Sequence, residues 1–181
     1  GAPRRLNSAS PGNPGQIDIG AYEAGFTGFF VNTTADTVDA NIGDGDAEDA
    51  AGDTSLRAAI QEANTSLTPV TIVVPAGEYS IGISGVSEEA GAAGDFDINN
   101  SNTTITILGS GRDTTTINGM QLDRVLDIHS FSVVDIRDLA VINGKTDELG
   151  FEDGGGIKIE GGSVTLTRVA VRNNEASSNG G

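Results

Sequence analysis

Three stretches of this chain echo one another, and the echo restricts the fold more than any other feature. Thr104-Ile105-Thr106-Ile107 leads to Ile117-Asn118-Gly119. Val134-Asp135-Ile136 leads through Leu139-Ala140-Val141 to Ile142-Asn143-Gly144. Val164-Thr165-Leu166 leads through Val169-Ala170-Val171 to Arg172-Asn173-Asn174. The asparagines stand 143 − 118 = 25 and 173 − 143 = 30 residues apart, and the polar insertion from Lys145 to Asp153 accounts for the longer step. Further alternating segments, Val125–Ile128 and Gly156–Ile159, precede the second and third echoes. A period in the twenties, built from short alternating segments with no helix between them, is that of stacked strands. No single unit can bury its own apolar face, so each must lie on the next. Val, Ile and Leu then point inward while Thr, Asp and Arg alternate outward, because strand side chains repeat every two residues. The expected fold class is all-β, a β-solenoid of parallel strands with one short helix.

Composition fits a thin core. Aromatic residues are 4% of the 181, with no Trp and one Met, Met120. The interior must therefore be filled by Val, Ile, Leu and Ala, where a thick globular core would use large rings. The 26 glycines and the many Thr and Asn residues favour short strands and frequent turns.

The chain divides into three parts. Residues 1–25 are an extended, Gly/Pro/Asn-rich segment carrying the alternating piece Gln16–Glu23. Residues 26–69 hold an entry-side strand led by Phe26, Phe29 and Phe30, an acidic loop and the single helix. Residues 70–181 hold the stacked strands. In the helix, Leu56, Ala59, Ile60 and Ala63 fall at i, i+3, i+4 and i+7, one apolar stripe. Asp53 or Thr54 is placed to cap its start and Asn64 to stop it. Arg57, Gln61 and Glu62 are expected to face away from the core. Recurrent Asn118, Asn143 and Asn173 mark corners, where they form either an amide ladder from turn to turn or ordinary Asn turns.

The formal net charge is −16. Such a surface repels phosphate backbones and anionic membrane surfaces, so neither nucleic acid nor an anionic bilayer is an expected partner. No apolar run reaches membrane-spanning length and no signal-peptide pattern opens the chain, so any export signal is expected outside these residues. Cysteine is absent, and with it any disulfide framework. Asp36, Asp39, Asp44, Asp46 and Asp49 crowd a Gly-rich loop, where hard oxygen ligands on flexible backbone suit Ca²⁺. The spacing is not that of an EF-hand, and a solvated acidic loop is the competing reading.

The stretch Val31–Asp39, then Gly43-Asp44-Gly45, then Thr54-Ser55-Leu56-Arg57-Ala58-Ala59-Ile60-Gln61-Glu62-Ala63-Asn64, resembles the CSLREA-type opening segment of bacterial surface proteins. That segment precedes right-handed parallel β-helices of pectin-lyase-like form, and the resemblance runs from Val31 to the C-terminus. It implies a helix that caps the N-terminal end of the stack, and a secreted or cell-surface location. Ala47 and Thr54 stand where such proteins often carry cysteines, so the disulfide closure they imply is lost. Ile17-Asp18-Ile19-Gly20-Ala21-Tyr22-Glu23 is similar to the ending of such helices in the choice-of-anchor Q group. The chain thus begins like the end of one β-helix and continues as the start of another. Ile17, Ile19, Tyr22, Phe26, Phe29 and Phe30 become candidates for completing the open end of a neighbouring copy.

Catalysis is not expected. A glycosidase needs two carboxylates across a cleft, whereas Asp123, Asp127, Asp135 and Asp138 read as outward strand acids paired with Arg112, Arg124 and Arg137. His129, the single histidine, has no Cys or second His beside it and reads as a turn residue. The expected function is an extracellular structural module stacking head to tail, as separate subunits or tandem repeats, into a fibre, stalk or surface layer. A carbohydrate- or host-binding adhesin module is the alternative, with polysaccharide a possible partner. A polysaccharide-degrading enzyme fragment ranks third.

Overall fold

The computed structural model describes residues 27–85, 88–146, 153–178 and 180. The expectations for the segment 1–25 and for Phe26 lie outside them, among them Ile17, Ile19 and Tyr22. The described elements are β1 (Gly28–Phe30), α1 (Leu56–Ala63), β2 (Val70–Val74), β3 (Gly77–Ser80), β4 (Phe96–Ile98) and β5 (Thr104–Gly109). There follow β6 (Thr115–Asn118), β7 (Leu126–Ile128), β8 (Val133–Arg137), β9 (Ala140–Ile142), β10 (Ile157–Ile159), β11 (Ser163–Thr167) and β12 (Ala170–Arg172). The protein is β-rich, with one short helix among the described residues.

The strands form three sheets, ordered β1-β2-β5-β8-β11, β3-β6-β9-β12 and β4-β7-β10. Every strand pair is parallel. From β4 onward the chain visits the three sheets in strict rotation, adding one strand to each on every pass.

Register turns the alternation into columns. Phe29, Ile72, Ile107, Ile136 and Leu166 follow one another across the five-stranded sheet. Val70, Ile105, Val134 and Val164 make a second column beside them. Tyr79, Ile117, Val141 and Val171 run through the four-stranded sheet. Phe96, Leu126 and Ile157 run through the three-stranded one. Except for Leu166 and Val171, which are exposed, these side chains belong to or pack against one core that also takes in Val31, Ala47 and the helix. Fully burying such an aliphatic side chain contributes about 1.5–3 kcal/mol, so the columns carry most of the apolar stabilisation.

The repeat is longer than the asparagine spacing implies. Paired positions in the five-stranded sheet differ by 105 − 70 = 35, 134 − 105 = 29 and 164 − 134 = 30 residues. Besides the 29-residue step from β5 to β8, the step from β6 to β9, 140 − 116 = 24, falls in the twenties. Loops of unequal length absorb the difference while the strands stay in register.

Corners repeat with the strands. Asp138 and Arg168 both adopt positive φ, 56° and 53°, and stand 168 − 138 = 30 residues apart. Asn143 and Asn173 do the same at 51° and 59°. Left-handed backbone at non-glycine residues is uncommon, and its recurrence at equivalent places shows one corner geometry used twice. At Gly109 the corner has no room for a side chain, since a Cβ there would collide with the Asp138 carbonyl.

The helix differs from expectation at its start and on its polar side. Ser55, not Asp53 or Thr54, is the N-cap: its Oγ accepts from the Ala58 N–H at 3.0 Å and donates to the Thr37 carbonyl at 2.6 Å. Asn64 is the C-cap. Leu56, Ala59, Ile60 and Ala63 join the core, and the helix lies against β1, β2 and β4. Arg57, Gln61 and Glu62 do not face solvent; all three are buried. The acidic loop and residues 88–95 fold over that side and supply polar partners. Glu62 accepts from the Gly45 N–H at 2.7 Å. Gln61 accepts from the Asp39 N–H at 2.8 Å and donates to the Gly91 carbonyl at 3.1 Å. Arg57 donates to Asp36 and to the carbonyls of Gly91, Gly94 and Asp95, with its guanidinium 4.7 Å from the Phe96 ring centre.

Candidate functional site

The densest charged constellation sits on the three-stranded sheet. In β4, β7 and β10 the residues flanking the middle position, Phe96/Ile98, Leu126/Ile128 and Ile157/Ile159, are apolar. Alternation therefore turns the middle ones, Asp97, Asp127 and Lys158, to the opposite face. Register sets those three in one row. Lys158 Nζ reaches Asp127 Oδ2 at 3.0 Å and Glu160 at 2.8 Å. Arg124 Nη1 reaches the same Asp127 oxygen at 3.1 Å, and its Nε lies 3.0 Å from Asp95.

His129, one residue beyond β7, is more than a turn residue. Its backbone N–H donates to the Ile98 carbonyl at 2.9 Å, which fixes the ring over β4. Its Nε2 lies 2.9 Å from Asp97 Oδ1 and 3.7 Å from Glu89. The other Asp97 oxygen accepts from the Gly91 N–H at 3.0 Å, which ties the segment around Gly91 to this face.

Asp95, Asp97, Asp123, Arg124 and Asp127 are all buried. Burial, with the carboxylates of Asp123 and Asp97 alongside, pushes Asp95 up to about 8 despite Arg124. Burial also pushes Asp97 up to about 6, against the hydrogen bond and charge of His129. Glu89, Asp97, Asp127 and His129 each present one ligating atom, all within 4.8 Å of one another. Carboxylates and an imidazole at that spacing can pass a proton or hold a cation.

Sequence reading singled out Asp123, Asp127 and Arg124 but missed Asp95, Asp97 and Glu89. The signal for Asp97 was the apolar-Asp-Ile pattern of Phe96-Asp97-Ile98, which Leu126-Asp127-Ile128 repeats.

The five aspartates of the acidic loop are not assembled into a ligand group among the described residues. Asp36 pairs with Arg57 at 2.6 Å and accepts from the Gly82 and Ile83 N–H groups. Asp39 is buried and accepts from the Asn41 N–H at 2.8 Å. Burial, with Glu62, Asp44 and Asp46 adding to it, raises its carboxyl above the usual range against that bond. Asp44 accepts from the Asp46 N–H, and Asp49 from those of Ala51 and Asp53. Asp39, Asp44 and Asp49 build the loop's own turns, while Asp36 ties the loop to the helix and to residues 82–83.

At the asparagine corner, Asn143 Nδ2 donates to Asn118 Oδ1 at 3.2 Å, although Asn118 aligns with Ile142. In the next turn Asn174, not Asn173, makes the link: its Oδ1 accepts from the Gly144 N–H at 2.8 Å and its Nδ2 donates to the Val141 carbonyl at 3.2 Å. Of the assembly candidates within the described residues, Phe29 packs on the core and Phe30 is exposed. Asp135 pairs with Arg137, Asp138 with Arg168, and Arg112 lies 4.0 Å from Asp113. Among the described residues no helix is long and apolar enough to cross a membrane.

These features define a β-rich protein of parallel sheets with one short helix among the described residues. No protein-family model matches the chain, and neither does any curated protein or solved structure.

Proposed function

We propose that the chain is a right-handed parallel β-helix, related to CSLREA-type surface proteins, that serves as an extracellular structural module. In this reading copies join head to tail, as tandem repeats or separate subunits, into a fibre, stalk or surface layer. One observation carries it. The in-register columns run from a covered end, where α1 and its loops lie over the first strands, to an end at β10–β12 whose apolar members are half-buried or exposed among the described residues. There Ile157, Ile159, Val164, Leu166 and Val171 line a shallow apolar hollow of about 260 Å³, and the outer edges of all three strands carry unpaired backbone groups among the described residues. An edge of that kind templates a further strand. A heterologous contact of one end with the other propagates without closing. The occupant in this reading is the next copy's segment 1–25, for its likeness to β-helix endings. The ion pairs that engage Asp127, Asp135 and Asp138 support a structural over a catalytic role.

Electron microscopy and light scattering of the purified 181-residue chain test this. Concentration-dependent oligomers or regular fibres are expected, and Leu166→Lys or deletion of residues 1–25 should leave monomers. A wild-type chain that stays monomeric at all concentrations would overturn the stacking of separate copies. Retained assembly in both variants would overturn the contact named here.

A further inference from the structure

We infer that Glu89, Asp97, Asp127 and His129 form a binding site for a divalent transition cation of the Zn²⁺ type. The site is independent of head-to-tail stacking and lies apart from the acidic loop considered above. Its ligating atoms all fall within 4.8 Å of one another. Ligands held at about 2.0–2.2 Å around one ion are separated by up to roughly 4 Å, so only a small closure is needed. Glu89 can supply it, because its side chain is largely exposed on the loop that covers this face.

A second observation points to a missing ligand. Asp127 is buried, and its Oδ1 has no hydrogen-bond partner, while Oδ2 is held by Lys158 and Arg124. Lys158 stands beside Asp127 on the β10 side and Asp97 on the β4 side. Asp127 thus stands next to Asp97 in the row, and the two share the cluster with Glu89 and His129. A buried carboxylate oxygen without a donor is costly, and a cation would satisfy it. The same ion would replace the proton lying between His129 Nε2 and Asp97 Oδ1.

Donor chemistry selects the class. One imidazole with three carboxylates suits Zn²⁺ or Mn²⁺, whereas Ca²⁺ takes six to eight oxygens. Lys158 and Arg124 offset part of the negative charge without occupying Asp127 Oδ1. Bound metal would clamp the segment carrying Glu89 onto two neighbouring strands, β4 and β7.

The chain is stripped with chelator and titrated with Zn²⁺ by calorimetry, and the ring signals of its single histidine are followed by NMR. One equivalent is expected to bind, to shift the His129 ring resonances and to raise the melting temperature. Glu89→Gln combined with His129→Gln, both reached from the surface, should weaken binding by roughly tenfold or more, and Glu89→Gln alone should reduce the His129 ring shift at equal, sub-saturating metal. Asp44→Asn/Asp46→Asn should leave binding intact. The site is overturned if Zn²⁺ does not bind, if the His129 ring does not respond, or if affinity follows the acidic-loop variant instead.

Discussion

The two ends of the columns are built from the same kinds of residue yet meet opposite fates. Ile136 is fully buried and Leu166, its partner one turn on, is 48% exposed; Val141 is fully buried and Val171 is 44% exposed. At the other end even Arg57, on the polar side of the helix, is 1% exposed, because the acidic loop and residues 88–95 close over it. Burial in this architecture is therefore conferred by the turn lying on top. A side chain's own apolar character only makes it eligible.

That contrast can be broken most severely at the covered end. Replacing Arg57 with Ala strands the Asp36 carboxylate and three carbonyls, and should cost about 3–5 kcal/mol in chemical denaturation. A loss under 1 kcal/mol would mean that the loops do not close over the helix. In mid-column, Ile136→Ala removes buried methyls between two neighbouring turns and should cost about 2–5 kcal/mol. Both are large effects for a domain of ordinary stability.

A smaller effect comes from the buried acids of the three-stranded sheet. Asp95 sits at about 8 when folded against an ordinary 3.8, so the folded chain holds more protons than the unfolded one between those values. Stability from this group is fully present below about pH 4 and falls as pH rises toward 8. Melting curves of metal-free protein across that range should show the decline, and Asp95→Asn should flatten it. The smallest effect belongs to the open end. Leu166→Ala in isolated chains should cost about 1 kcal/mol or less, because half of that side chain is already in water. A loss as large as that at Ile136 would show that the open end is covered in solution.

The sequence made the columns legible and the ionic row obscure, for one reason. Alternation in Val70–Val74, Thr104–Ile107, Val134–Ile136 and Val164–Leu166 is local, and each became a strand with its Val, Ile or Leu turned inward. The helix stripe is local too. Asp97, by contrast, meets Asp127 only because two strands thirty residues apart share a register, 127 − 97 = 30. Loops of unequal length hide that register in the asparagine spacing. Arg57, Gln61 and Glu62 were expected in water because a helix pattern reveals one apolar side but not what folds over the other. Their polar groups are satisfied by backbone from loops that carry no pattern of their own.

Register itself can be measured, since the chain contains no cysteine to interfere. Thr106 pairs with Asp135 across β5 and β8 while Val133, two residues earlier on the same face, pairs with Thr104. A disulfide needs Cα atoms about 5–6 Å apart. The doubly substituted chain Thr106→Cys/Asp135→Cys should oxidise readily to an intramolecular disulfide under mild conditions, and Thr106→Cys/Val133→Cys should lag well behind. Equal rates, or the faster reaction in the second pair, would contradict parallel strands stacked in this register.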